Sequence, residues 1–281
     1  MGKLKGAGLG LRREMLDEVL LNIPEVVDFW EVAPENWLTL GGVYKSKFEQ
    51  LTGNHKFTTH GLSLSIGSSD PLDINFVKQI KQFLDTHNIE FYSEHLSYCS
   101  GDGHMYDLMP IPFTTEAVKH VVSRVQQVQD VIKRPIILEN VSYYAAPGQQ
   151  MSEIEFTQQV LRQSGCALLL DVNNVFVNSI NHKYDAKAFI DAMPSGQIVY
   201  GHIAGHFDEA EDLKVDTHGD DVKPQVWDLL KYAYQVHGVF PTLLERDFNI
   251  PPLSILLKEV EHIKRIQAEC SDTVIGQEMT V

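Results

Sequence analysis

Short apolar or β-branched runs return along this chain at a steady interval, and a stretch with helical periodicity follows each of them. The runs are GLGL (8–11), VVDFWEV (26–32), FTTHGLSLSI (57–66), IEFYSEHL (89–96), PIILENV (135–141), CALLLDVNN (166–174), QIVYGHIAG (197–205) and PTLLERD (241–247). Helical stretches lie at 73–87, 114–131, 152–164, 222–236 and 252–267. Ser152 with Glu155 has capping-box spacing, and Gly165 and Gly238 stand where helices should stop. Runs that are continuously apolar rather than alternating belong to strands buried on both faces. Eight such βα units predict an α/β fold, a (β/α)8 TIM barrel, with an open doubly wound sheet as the alternative. No composition shift marks a second domain, so residues 1–281 are expected to form one, with a polar tail at 268–281 that frays. Residues 101–112 and 204–221 read as long loops, which in compact domains are often functional.

Charge narrows the function classes. Against 38 Asp and Glu the chain carries 23 Lys and Arg, a net charge of −15. Such a surface repels a phosphate backbone, so nucleic acid is not an expected partner. Three separated cysteines, Cys99, Cys166 and Cys270, offer neither a disulfide framework nor a thiolate zinc knuckle. The opening MGKLKGAGLGLRRE has no apolar stretch of signal-peptide length, and no run approaches the roughly 18 apolar residues of a membrane span. A cytoplasmic protein without a membrane partner is expected.

In a barrel the chemistry stands at the carboxyl ends of the strands. Polar residues collect there: Glu31, Glu35 and Asn36 after the second strand, His60 on the third, Glu94 and His95 on the fourth, and Glu139 and Asn140 on the fifth. Asp171, Asn173 and Asn174 follow the sixth, His202 and His206 the seventh, and Glu245 and Asp247 the eighth; the loop after the seventh adds Asp216 and His218. Taken singly, each is more simply a hydrogen-bonded structural residue or a helix cap. Together, carboxylates and imidazoles converging on one rim need cations to neutralise them. Imidazole with carboxylate and no thiolate suits iron, manganese or zinc. The donors exceed what one ion can use, so two or three ions bridged by a carboxylate are expected, and Glu139 is central in strand order.

Other patterns carry less. GAGLGL lacks the third glycine of a dinucleotide loop, and no P-loop or nucleophile elbow occurs. HIAGH spaces His202 and His206 as a helical zinc motif does, yet it follows an apolar strand and has no Glu after the first His. Cys99, a lone cysteine after a strand, reads as inert.

The donor order His, His, Glu, Asp, His, Asp-x-His, Glu is similar to that of endonuclease IV, a trinuclear-metal barrel, and more loosely to xylose isomerase. GLGLR, EVAPENW, THGLSLSIGS, SEHLSY, DLMPIPFT, ILENVSYY, LLLDVNNVFVNS, HIAGH, DTHGDDV, VWDLL and LLERD cover nearly the whole chain. In that order they resemble the multinuclear non-haem iron-dependent oxidase family, kin of the methanobactin-maturing oxidase. The resemblance implies a xylose isomerase-like barrel holding two or three iron ions, with zinc or manganese as substitutes after isolation. It implies one ion on His60, His95 and Glu139, a second on Glu139, Asp171, His202 and Glu245, and a third on Asn174, Asp216 and His218. Glu94 and Asn173 are neighbours that could exchange with His95 and Asn174. Asn174 stands where the endonuclease pattern has His, which implies a labile third ion and argues against DNA repair. Family members use O2 to oxidise cysteines of ribosomally made precursor peptides, commonly with a partner protein that presents the leader. His206 and Asp247 are the candidates for catalytic proton transfer or orientation, with Glu35 beside them. The competing reading is a metal-dependent hydrolase or isomerase of sugars or abasic DNA on the same barrel.

Overall fold

The computed structural model describes residues 4–101 and 103–278. Eight parallel-type strands carry the fold: β1 Ala7–Gly10, β2 Phe29–Val32, β3 Phe57–Gly61, β4 Tyr92–His95, β5 Ile137–Glu139, β6 Ala167–Asp171, β7 Ile198–Ile203 and β8 Thr242–Leu244. Their hydrogen-bonded order, β1-β8-β7-β6-β5-β4-β3-β2, closes on itself as a barrel. Nearly every residue of these strands is buried, as continuously apolar runs require.

Contacts divide the chain into two compact units, Glu31–Leu169 and Met1–Trp30 with Leu170–Val281, and the cuts fall inside β2 and β6. In the first unit the ladders set His60 opposite Ser93 and His95 opposite Glu139. Outside them the helix Thr115–Ile132 packs between Ile74–Thr86 and Glu153–Ser164. Asp73 and Thr114 cap the first two, and Ser152 makes the expected capping box with Glu155. In the second unit Thr242–Leu244 pairs with both β1 and β7, and the helix Leu253–Glu278 packs on β1 and β8. The tail is therefore helical from 268 as far as Glu278, and 279–281 lie outside the described residues.

Several strands end sooner than their apolar runs, for identifiable reasons. β3 stops at Gly61 because the next N–H groups leave the ladder: Leu62 and Ser63 donate to Glu35 at 2.8 and 3.0 Å, and Leu64 to Glu94 at 3.1 Å. β6 stops at Asp171, whose carboxylate caps the helix Val172–His182, so residues 172–174 form its first turn. β8 stops at Leu244; Glu245 N–H still reaches Ile203 O, and Asp247 N–H turns to His218 O at 2.9 Å.

The stretches read as loops contain antiparallel ribbons, Tyr98–Ser100 with His104–Met109 and Phe207–Ala210 with Leu213–Val215. The second ribbon has a register shift between Asp208 and Ala210. Its Leu213–Val215 strand is held to the helix Val172–His182 by Asn181, which exchanges two hydrogen bonds with the Lys214 backbone. Gly205 leads into it under compulsion, since a Cβ there would lie 2.1 Å from the Asp220 carbonyl oxygen. Among the described residues no helix is long and apolar enough to cross a membrane.

Candidate metal centre

The first donor group grows directly from the ladders of β3, β4 and β5. Because His95 sits opposite Glu139, His95 Nε2 comes within 3.4 Å of Glu139 Oε2; His60 Nε2 is 3.0 Å from the same oxygen and 3.0 Å from His95 Nε2. Ser93, opposite His60, decides the tautomer. Its hydroxyl donates to Thr59 O at 3.1 Å, so it must accept from His60 Nδ1, 2.8 Å away. The proton is then on Nδ1 and the lone pair on Nε2, the arrangement of a metal-binding histidine whose second nitrogen is held by a neighbour.

Glu94, the other residue in question on β4, points away from this group. It accepts from Tyr92 Oη at 2.8 Å and from Leu64 N–H, and burial, reinforced by the nearby Glu35 charge, pushes its pKa up to about 8. Burial also raises Glu35, against the opposing hydrogen bonds from Leu62 and Ser63. Gly61 makes the space, because a Cβ there would fall 2.1 Å from Glu94 Oε1. Glu31 and Asn140 are buried, and Glu31 belongs to none of the donor groups among the described residues.

The second unit holds Asp171, His202 and Glu245, with donor atoms lying within 4.8 Å of one another. His202 Nδ1 approaches Glu245 Oε2 at 2.9 Å, and His218 Nδ1 approaches the same oxygen at 3.2 Å. His218 Nε2 is 2.8 Å from Asp216 Oδ1, and its Nδ1 is 3.2 Å from Asp247 Oδ2. His218 therefore sits inside a cage of three carboxylates. Burial opposes charging the ring, yet Asp216 and Glu245 hold its pKa well above the usual histidine value. Glu245 is held well below the carboxylate range: burial works against this, and His202 and His218 outweigh it. His218 adopts φ +47°, an uncommon conformation for a non-glycine residue. Arg12 ties the cage to β1, donating to Arg246 O at 3.0 Å and pairing with Asp247.

Asn173 and Asn174 share the first turn after β6, and both are buried. Asn173 donates from Nδ2 to Asp216 Oδ1 at 3.0 Å and accepts from His206 Nδ1 at 2.8 Å, while Asn174 donates its backbone N–H to Asp171 at 2.5 Å. His206 is fully buried and stacks on Phe176, with ring centroids 5.2 Å apart. Burial and then Lys223 push its pKa down to about 4, so it is neutral. The side chains Asn173 and His206 thus join the Asp216 cluster through contacts that no linear motif announces; the two residues are 33 apart in sequence.

These donor sets fit a metal ion. Donors about 2.1 Å from one ion stand roughly 3 to 3.5 Å apart; most of the contacts above fall in that range, and His202–Glu245 at 2.9 Å and His218–Asp216 at 2.8 Å lie just below it. All are nitrogen or oxygen; Cys99, Cys166 and Cys270 are buried outside the donor groups.

The family model for the RiPP precursor modification enzyme MbnB/TglH/ChrH matches residues 6–268. The chain belongs to that family. RiPPs are ribosomally made peptides that are modified after translation, so this is a family of peptide-modifying enzymes. A UPF0276 protein of Shewanella loihica is 66% identical over 93% of this chain and 94% of its own length. Among solved structures, D-psicose 3-epimerase of Clostridium cellulolyticum H10 with D-tagatose superposes with TM-score 0.59 at 13% identity, covering 96% of this chain and 98% of its own. Endonuclease IV of Thermus thermophilus gives 0.57 at 12%, covering 96% and 100%. These likenesses show the xylose isomerase-like barrel, and at such identity nothing beyond the fold.

Proposed function

We propose that this protein is a multinuclear iron-dependent oxidase that uses O2 to modify cysteine residues of a ribosomally made precursor peptide, presented by a leader-binding partner protein. The observation that carries the reading is the set of all-N/O donor groups, at ion-binding separations, in a chain of a RiPP-modifying family. Bound iron would supply one-electron redox chemistry and open positions for O2 and a substrate thiolate. The residues' part is to hold and orient. His60 offers Nε2 because Ser93 fixes its tautomer, and His95 and Glu139 complete that group. Asp171, His202 and Glu245 would form the second. Asp216 and His218 would hold a third ion, with Asn174 as the weak companion that the resemblance implies. Asp247, about a third exposed and in contact with His218, would take a proton from substrate.

The test is metal analysis of protein purified without air, together with O2 uptake and peptide mass change on a Cys-containing precursor encoded beside the gene. Iron in the protein, O2 consumption and a mass shift at Cys are the expected results. An aerobically active protein containing only zinc sinks the oxidase reading and leaves a metal-dependent hydrolase or isomerase.

A further inference from the structure

The chain His206, Asn173, Asp216 is built so that each member fixes the next. A carboxylate has no proton to give, so the Asn173 atom facing Asp216 Oδ1 at 3.0 Å is its NH2. The amide oxygen therefore faces His206 Nδ1, 2.8 Å away, and can only accept. Nδ1 must carry the ring proton. Stacking on Phe176 sets the plane of the imidazole, and the close approach of Gly205 to the Asp220 backbone sets the course of the chain just before it. Asp216 Oδ1 is in turn the oxygen that meets His218 Nε2 at 2.8 Å.

We propose that His206 is a positioning residue: through the Asn173 amide it aims the Asp216 carboxylate at the ion shared with His218, and it acts by its Nδ1–H donor rather than by Nε2. This rests on the reading of Asp216 and His218 as ion holders. His206 then needs no contact with substrate. Its Nε2 faces Asp208 at 3.6 Å, a carboxylate already engaged by Lys214 and Lys223.

Two amide substitutions separate the ring nitrogens, because Asn places its NH2 near the Nδ1 position and Gln near Nε2. The metal-free full chain is titrated with Fe(II) without air, and the affinity of the ion lost in Asp216→Ala is read by equilibrium dialysis, with thermal melting as the fold control. His206→Asn should bind that ion as the unaltered protein does, and His206→Gln about 10- to 100-fold more weakly. Asn173→Leu, with His206 intact, should show the same weakening and provides the reading if His206→Gln does not fold. Unaltered affinity in His206→Gln or in Asn173→Leu overturns the proposal, as does a His206→Asn protein as weak as His206→Gln. If Asp216→Ala leaves the iron stoichiometry unchanged, the third-ion reading itself fails and takes the proposal with it; if Asp216→Ala loses an ion while the other variants keep it, only the proposal fails.

Discussion

Two of the donor clusters reach similar spacings by different means. His60, His95 and Glu139 stand on strands whose ladder register brings them together, and a serine on the neighbouring strand sets one tautomer. Asp216 and His218 stand on a connection, one of them in a left-handed conformation; Asn173 holds Asp216 and Asp247, itself paired with Arg12, holds His218. The first cluster has two imidazoles to one carboxylate; the second sets one imidazole among three. A strand-built set keeps its geometry whatever fills it, because the ladder is made independently. A connection-built set depends on its bracing.

Substitutions can break this contrast. His60→Ala should have the largest effect: loss of the ion at the strand-built cluster and at least about 100-fold less peptide modification, with the melting temperature of the metal-free protein little changed. Retained modification would show that this cluster is not where the chemistry depends. Asp216→Ala should lower iron content by about one ion while the strand-built cluster stays loaded, read by metal analysis of the two variants side by side. Equal losses in both variants would mean that the clusters bind as one unit and the contrast is false.

A smaller effect tests the polar residue that faces away. Glu94 keeps its proton in the folded state up to about pH 8, whereas the unfolded carboxyl releases it near the ordinary value. The unfolded state therefore gains as pH rises through that window, and this contribution, on the order of a few kcal/mol, is present at low pH and lost toward pH 8. In the metal-free protein the urea midpoint should fall between pH 5 and 8, and Glu94→Gln should flatten the fall. A slope unchanged by the substitution would remove Glu94 as its source.

The barrel and the strand-end donors were legible because burial on both faces leaves a continuous apolar signature, and a polar residue at its end stands out. Which of two adjacent residues faces inward was not. Glu94 and His95 differ by one step of a two-residue period, and only the ladder, pairing His95 with Glu139 and Glu94 with Leu138, decides it. The helix Val172–His182 was hidden by β-branched Val172, Val175 and Val177 and by four asparagines, all poor helix formers, and it exists because Asp171 caps it and its buried face is held. The Asn173 to His206 contact joins residues far apart in the chain, so no local spacing could reveal it. The ribbons were missed because short strands, of three to six residues, between turn residues carry almost no periodic signal.

The register shift in the ribbon Phe207–Ala210 bears on how the molecule behaves in company. A bare outer strand bearing an exposed Phe207 is the kind of edge onto which a second chain can add and begin an aggregate. The bulge interrupts its row of hydrogen-bonding groups, and Asp208 and Glu209 place charge along it, so the strand that flanks His206 is a poor template for edge-to-edge stacking even in concentrated solution.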